Sequence, residues 1–117
     1  MIDLLFEKGR QFSVYPLKIF WIAKNDQSPL QAAVGVSSRN FKKATDRNRV
    51  KRILRESYRL QKTTLKQMLE RDEKQLSVFI LYNGKELPEF NGLCEKMELV
   101  INRLKKYITE GSVEKNQ

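Results

Sequence analysis

The organisation of this chain follows from residues 41–60, which read FKKATDRNRVKRILRESYRL. Apolar side chains recur here, and on toward residue 69, at steps of three and four residues, the spacing that places them on one side of an α-helix. The positions in this series are Val50, Ile53, Leu54, Ser57 or Tyr58, Leu65, Met68 and Leu69. The pattern predicts a long amphipathic helix that begins between Ala44 and Arg47.

Basic residues are concentrated in the same part of the chain. The net charge of the 117 residues is +9, and residues 39–62 alone hold ten Lys or Arg against only Asp46 and Glu56. Four-residue steps between the cations predict a row of charges opposite the apolar side of the helix. The row consists of Arg47, Lys51, Arg55 and Arg59, with Asn48 and Arg52 beside it and Lys42 and Lys43 before it. Because guanidinium groups bind phosphate through paired hydrogen bonds, the row indicates a nucleic-acid partner.

A simpler interpretation is a solvated basic face with no partner. A solvated helix normally mixes both signs of charge, so that side chains four residues apart form ion pairs. Here only two acidic residues stand among many cations. The mutual repulsion of the cations would destabilise a helix that binds no polyanion. Charge patterning therefore favours nucleic-acid binding without identifying the nucleic acid.

The rest of the chain predicts a single α+β domain over residues 1–111. Residues 2–8 form a short helix or turn that ends at Gly9, and residues 112–117 form a flexible tail. Residues 17–24 and 30–37 are predicted strands, joined through turn residues 25–29 as a hairpin. A third strand covers residues 76–82, and a final helix runs from after Pro88 to Gly111.

Composition excludes several classes of protein. The chain has no histidine, which removes the commonest general base and metal ligand, and its single cysteine, Cys94, cannot form an intramolecular disulfide. No apolar run approaches the roughly 20 residues that cross a bilayer, and the N-terminus lacks a signal-peptide pattern. We therefore expect a cytoplasmic, monomeric protein that binds a polyanion, holds no cofactor and does not interact with a membrane.

The order of residues in this stretch is specific. The run Lys42-Lys43-Ala44 followed by Arg47-Asn48-Arg49 and Lys51-Arg52, with further arginines at helical steps, resembles the "RNR" signature of the bacterial ribonuclease P protein component. The resemblance extends to residues 5–9 with Phe12 and to the Val-Gly-Val-Ser strand at residues 34–37. It implies an α+β sandwich in which helices pack on a mostly antiparallel sheet that contains a split βαβ unit with a left-handed crossover.

The resemblance also implies a function. Members of this family carry no catalytic residues, because a large RNA subunit performs the magnesium-dependent hydrolysis that removes the 5′ leader from precursor tRNA. The protein binds that RNA subunit and holds the leader in a cleft. It is thus the non-catalytic subunit of an endoribonuclease.

Site residues follow by matching the motif position by position. The residues implied to face the RNA subunit are Lys42, Lys43, Arg47, Asn48, Arg49, Lys51, Arg52, Arg55 and Arg59. Phe12, Lys18 and Phe20 are implied to contact the leader, Lys18 and Phe20 from one face of a strand. Asn48 either caps the helix, reads an RNA group or supports the loop.

Other aromatic and acidic residues have less specific assignments. Phe79, Trp21 and Tyr58 are expected in the core, with polar partners for the tyrosine and tryptophan. Asp46 is a magnesium candidate by position only, and an acidic residue at a helix start is the simpler interpretation.

The sequence departs from the family pattern in two places, and other classes of function stay open. The sequence starts at Met1-Ile2, so the basic stretch that many members carry before the first helix is either missing or not included, and Ser38-Arg39-Asn40 stands where lysines are common. A structural RNA-binding protein would share the charge pattern, although the ordered motif argues against it. A nuclease with its own metal site would need clustered carboxylates, and residues 39–62 offer only two.

Overall fold

A computed structural model describes residues 9–23 and 30–109, which form four strands and two helices. In chain order they are β1 (Arg10–Val14), β2 (Leu17–Ile22), β3 (Leu30–Val36), α1 (Ala44–Arg71), β4 (Leu76–Tyr82) and α2 (Phe90–Thr109). The predicted α+β class and the three predicted strands are confirmed. The predictions for residues 2–8, the turn at 25–29 and the tail at 112–117 fall outside the described residues.

The four strands form one sheet in the order β1-β2-β4-β3. Strand β2 pairs antiparallel with both β1 and β4, whereas β3 and β4 are parallel. The predicted hairpin between β2 and β3 is therefore wrong. Strand β4 separates them because it is the most apolar of the strands and buries most of its side chains, which suits a central position.

The βαβ unit consists of β3, α1 and β4. The resemblance implied a split unit, in which another strand lies between the two parallel strands. Here β3 and β4 are direct neighbours, so the unit is not split. The hand of the crossover stays a prediction of the resemblance. Parallel neighbours need a long connection, and the 28-residue helix α1 supplies it.

Strand β1 was not predicted from the sequence. It pairs with β2 through a tight connection at Tyr15 and Pro16, whose peptide bond is cis. Residues 10–14 alternate weakly between apolar and polar side chains, so their sequence carries little strand signal on its own.

The sheet has one face covered by helices and one open face. Leu17, Ile19 and Trp21 of β2 are buried on the covered face, together with Val78 and Ile80 of β4, their neighbours across the strands. Because side chains alternate along a strand, Lys18, Phe20 and Phe79 lie on the open face. Phe79 is only half-buried there, so its assignment to the core is wrong, while the burial of Trp21 and Tyr58 in the core is confirmed. The polar partner expected for the Tyr58 hydroxyl is not found among the described residues, so that part of the prediction is wrong.

Both helices pack on the covered face with their predicted apolar sides. Helix α1 buries Val50, Leu54, Leu65 and Leu69, and it packs against β3 and β4, whereas α2 packs against α1 and β1. Gln61 Nε2 donates a hydrogen bond of 2.7 Å to the backbone oxygen of Cys94, which fixes one side of α1 against α2.

The two helices of this fold are amphipathic, with polar residues along one side. None of the helices in the described ranges is both long and apolar enough to cross a membrane.

The hydroxyl of Tyr58 gives a test of packing. It is buried without a hydrogen-bond partner in the described residues, whereas Tyr82 donates a 2.7 Å hydrogen bond to the Glu86 oxygen. We expect Tyr58→Phe to raise the free energy of unfolding by about 1 kcal/mol and Tyr82→Phe to lower it by about 1 kcal/mol. Urea denaturation of both variants measures the difference, and equal destabilisation would contradict it.

The same hydroxyl predicts a pH effect. Burial raises the pKa of Tyr58 above its ordinary value of 10.0. Above about pH 10 the tyrosine releases its proton in the unfolded chain but keeps it in the folded protein. The free energy of unfolding therefore falls as the pH rises. We expect wild-type protein to lose more stability above pH 10 than Tyr58→Phe does. Unfolding curves below and above pH 10 measure this difference, and parallel losses would contradict it.

Candidate nucleic-acid interface

The loop that leads into α1 is attached to the end of β4. Asn40 Nδ2 donates hydrogen bonds to the backbone oxygens of Asn83 (3.3 Å) and Gly84 (3.1 Å). Phe41 is buried with its ring centroid 6.0 Å from that of Tyr82. These contacts fix where the basic helix begins relative to the sheet.

Arg47 belongs to this attachment. Its Nη1 donates hydrogen bonds to the backbone oxygens of Phe41 (2.9 Å) and Lys42 (2.8 Å), and its side chain is half-buried. Arg47 precedes Leu54 by seven residues, nearly two turns, and therefore lies on the buried side of α1. Its predicted place opposite the apolar positions is wrong, because the first turn of α1 uses its guanidinium to hold the preceding loop.

Four exposed side chains form a row along α1, which we call the basic stripe. Its members are Asn48, Arg52, Arg55 and Arg59. Gln61 faces α2, because its side chain donates a hydrogen bond to Cys94 of that helix. Arg52 precedes Gln61 by nine residues, or two and a half turns, so the basic stripe lies on the opposite side of α1 and points away from α2. At 1.5 Å per residue its ends are about 16 Å apart along the axis, enough to follow several phosphates.

Two other motif cations lie off the basic stripe. Lys51 is half-buried at its border, because it precedes the buried Tyr58 by seven residues. Arg49 is exposed, but successive helical residues are about 100° apart, so it points in another direction from Asn48. The motif therefore presents its charges to more than one side of α1.

One arginine of the basic stripe has an acidic partner. Arg59 Nη2 lies 2.7 Å from Glu56 Oε1, and both side chains are largely exposed, at 63% and 46%. Such exposed pairs contribute little stability and exchange readily for a phosphate. Within the described residues Arg52 and Arg55 form no ion pair and Asn48 forms no hydrogen bond, which leaves three polar side chains ready for a partner.

The start of α1 adds backbone donors to this surface. Lys43 is the N-cap and makes no side-chain hydrogen bond to the first turn, and Lys42 and Lys43 are both exposed. Asn48 does not cap the helix, which eliminates that one of its three predicted roles. Free first-turn N–H groups attract phosphate, whereas Asp46 in this turn is the acidic residue expected at a helix start.

The open face of the sheet carries a cation beside two aromatic rings. Lys18 Nζ lies 5.5 Å from the centroid of the Phe20 ring, and the Phe20 and Phe79 centroids are 6.3 Å apart. Gly35 lies under Phe79: a Cβ added there would be 2.5 Å from Phe79 Cζ. A side chain at position 35 would displace the ring, so glycine permits this aromatic surface.

Phe12 does not share that surface. It is buried on the covered face, opposite Ile19, and its ring centroid is 5.5 Å from that of Tyr107 on α2. Phe12 and Phe20 therefore lie on opposite faces of the sheet, because the pleat directs them apart. Their contact with the leader stays a prediction of the resemblance. Phe79, predicted to lie in the core, is instead the second aromatic residue of the open face.

The pairing register between β2 and β4 is the signal that would have placed Phe79 beside Phe20 on the open face. The two phenylalanines are direct cross-strand partners, a pairing that no single-sequence pattern encodes. The described residues contain no group of three or more Cys, Asp or Glu side chains that could hold a metal ion.

Comparison with known sequences identifies relatives over most of the chain. A family model described as Ribonuclease P matches residues 1–105. The ribonuclease P protein component of Porphyromonas gingivalis is 30% identical over 105 residues, which cover 88% of this chain and 77% of that protein. The corresponding protein of Chlorobium phaeobacteroides is 27% identical over 117 aligned residues, with coverages of 90% and 80%.

Solved structures share the fold. The RNase P protein of Staphylococcus aureus superimposes with a TM-score of 0.71 at 14% identity, covering 89% of this chain and 88% of that one. The RNase P protein of Thermotoga maritima gives 0.70 at 21% identity, with coverages of 87% and 89%. At these identities the similarity establishes the architecture alone.

The two kinds of motif arginine predict different stability effects. We expect Arg47→Ala to lower the free energy of unfolding by about 1.5–3 kcal/mol, because two backbone oxygens lose a charged donor. Arg55→Ala, at an exposed position, should change it by less than about 0.5 kcal/mol. Thermal and urea unfolding measure both values, and equal losses would show that the basic stripe serves the fold.

Proposed function

The chain belongs to the family of bacterial ribonuclease P protein components, and from this membership we propose that it binds the catalytic RNA subunit through α1 and the precursor-tRNA leader on the open face of its sheet. The RNA subunit performs the cleavage that removes the 5′ leader. The protein supplies binding and orientation, so it takes part in an endoribonuclease without catalytic residues of its own.

The observation that carries this proposal is the basic stripe. Asn48, Arg52 and Arg55 are exposed and lie on one side of α1, and their side chains make no ion pair or hydrogen bond in the described part of the chain. Clustered guanidinium groups repel one another unless an anion lies among them. A structured RNA presents closely spaced phosphates, and binding them releases counterions.

A second surface suits a different part of the substrate. Lys18, Phe20 and Phe79 on the open face combine a cation with aromatic rings, the pairing that holds single-stranded RNA of any sequence. A leader is single-stranded, and leaders differ in sequence between tRNAs. The open face therefore fits the leader, and the basic stripe fits the folded RNA subunit.

Magnesium would be held by the RNA. The side chains of the described residues do not bring three acidic or thiol groups together, so we assign no magnesium ligand to them and no step of the reaction to a metal on the protein. Asp46 alone cannot form such a site, because a divalent ion needs several oxygen ligands.

Reconstitution tests the proposed function directly. Purified protein alone should leave precursor tRNA uncut, and adding the cognate catalytic RNA at low magnesium should produce specific 5′ cleavage that the RNA alone performs poorly. A denaturing gel with end-labelled precursor tRNA measures cleavage. Cleavage by the protein alone, or RNA activity that the protein does not change, would contradict the proposal.

Variants separate the two surfaces. We expect Arg52→Ala and Arg55→Ala each to weaken assembly with the RNA subunit and to reduce the slope of log affinity against log salt by about 1. Phe20→Ala should leave assembly unchanged and weaken leader binding by about 1–3 kcal/mol, the contribution of one stacked base. Filter binding over a salt series measures both.

Arg71→Ala is the matched control. Arg71 also lies on α1 and is exposed, but it pairs with Asp72 at the far end of the helix. Its removal should change neither assembly nor leader binding. If Arg71→Ala had the same effect as Arg52→Ala, the contact would depend on net charge and not on the basic stripe.

A further inference from the structure

A second cationic and aromatic cluster lies at the β1 edge of the sheet. Arg103 on α2 has its guanidinium carbon 4.6 Å from the centroid of the Phe12 ring, and its Nη2 donates a 3.1 Å hydrogen bond to the hydroxyl of Tyr107. Its Nη1 reaches the backbone oxygen of Ser13 at 3.4 Å. The guanidinium is thus held at the outer strand of the sheet.

These contacts restrict where the guanidinium lies. Its central carbon lies over the buried ring of Phe12, and Arg103 is exposed. Tyr107, which orients it, is itself stacked on Trp21, with centroids 5.5 Å apart and an interplanar angle of 12°. An arginine held in this way has lost most of its conformational freedom before any ligand arrives, which favours binding.

The cluster lies on the covered side of β1 and borders the open face at the edge of this strand. Ser13 and Lys18 are direct partners across β1 and β2, and Lys18 lies over Phe20. Directly opposite residues have their Cβ atoms about 5 Å apart. Going outward from Phe20, a strand of RNA would meet Lys18, then Ser13 and finally Arg103.

The positions of the helices give this path a direction. Helix α1, with the basic stripe, packs against β3 and β4, whereas α2, with Arg103, packs against β1. If the RNA subunit binds α1 and the cleavage site lies beside it, the end of the leader next to that site is on the β3 side of the sheet. The upstream part of the leader then leaves the sheet over β1.

We propose that Arg103, oriented by Phe12 and Tyr107, binds an upstream nucleotide of the precursor-tRNA leader, stacking its guanidinium on the base and contacting the adjacent phosphate. This inference rests on the proposed function. Guanidinium planes stack on unpaired bases, and they bind phosphate at the same time through their edge. The described residues place no acidic partner within ion-pair distance of Arg103.

A purely structural role for Arg103 makes a different prediction. Cations at edge strands also prevent strand pairing between molecules, and Arg103 reaches the edge strand β1. In that case its removal would affect stability or self-association and would be insensitive to the length of the leader. The two roles are distinguishable because only binding depends on how far the leader extends.

The test uses the reconstituted holoenzyme and precursor tRNAs whose leaders lengthen one nucleotide at a time. For the wild type, we expect affinity to rise with leader length and to show a last increase when the leader passes β1. Arg103→Ala should lack that last increase, a loss of about tenfold for long leaders and none for short ones. Equal affinities of variant and wild type for every leader would overturn the proposal.

Two further variants make the result specific. Arg103→Lys keeps the charge at the edge strand and loses the planar group, so it should fold and still lose the last increase; full affinity for long leaders would overturn stacking. Lys105→Ala is the matched control, because Lys105 also lies on α2 but lines the groove toward α1. It should bind every leader as the wild type does, and a loss equal to that of Arg103→Ala would overturn the assignment to Arg103.

An abasic nucleotide identifies the contact. Placing it at the upstream position should weaken wild-type binding by the same factor as Arg103→Lys, and should cause no further loss in that variant. Additive losses would overturn the contact. If wild-type affinity did not rise with leader length at all, leader binding itself would fail, an outcome distinct from failure at Arg103 alone.

Discussion

The direction of the motif side chains depends on the burial of one side of α1. Val50, Leu54 and Leu65 have no exposed surface, and their contact with the sheet leaves the helix a single rotation about its axis. Removing such side chains from water contributes roughly 1.5–3 kcal/mol each, far more than the surface ion pairs nearby. Hydrophobic packing therefore determines where the guanidinium groups point, and the charges occupy the directions that remain.

For this reason consecutive residues of the motif have different roles. Arg47 faces inward and holds the loop through the oxygens of Phe41 and Lys42, Asn48 lies in the basic stripe, and Arg49 points to another side. A motif read along the chain suggests one continuous surface. The rotation of about 100° per residue distributes it between the fold and the exposed surface.

The sequence was sufficient for the features that depend on local periodicity. Helix α1, the apolar side of α2 and the strand at residues 76–82 all follow from spacing within a short window. Strand order does not, because β4 enters between β2 and β3 only after a 28-residue helix intervenes. The same limit misassigned Phe79 to the core and left the face of Phe12 undetermined, since alternation along a strand places residues on two faces without saying which face the helices cover.

The contact between Gly35 and Phe79 couples two positions that are far apart in the chain. No side chain fits at position 35 while the ring stays where it is, because even a methyl group would overlap it. A lineage that acquired alanine here would lose the aromatic surface or need a smaller residue at 79 to accompany it. Substitutions at the two sites are therefore expected to arise in pairs during the divergence of such proteins, a covariation that traces the parallel pairing of β3 with β4.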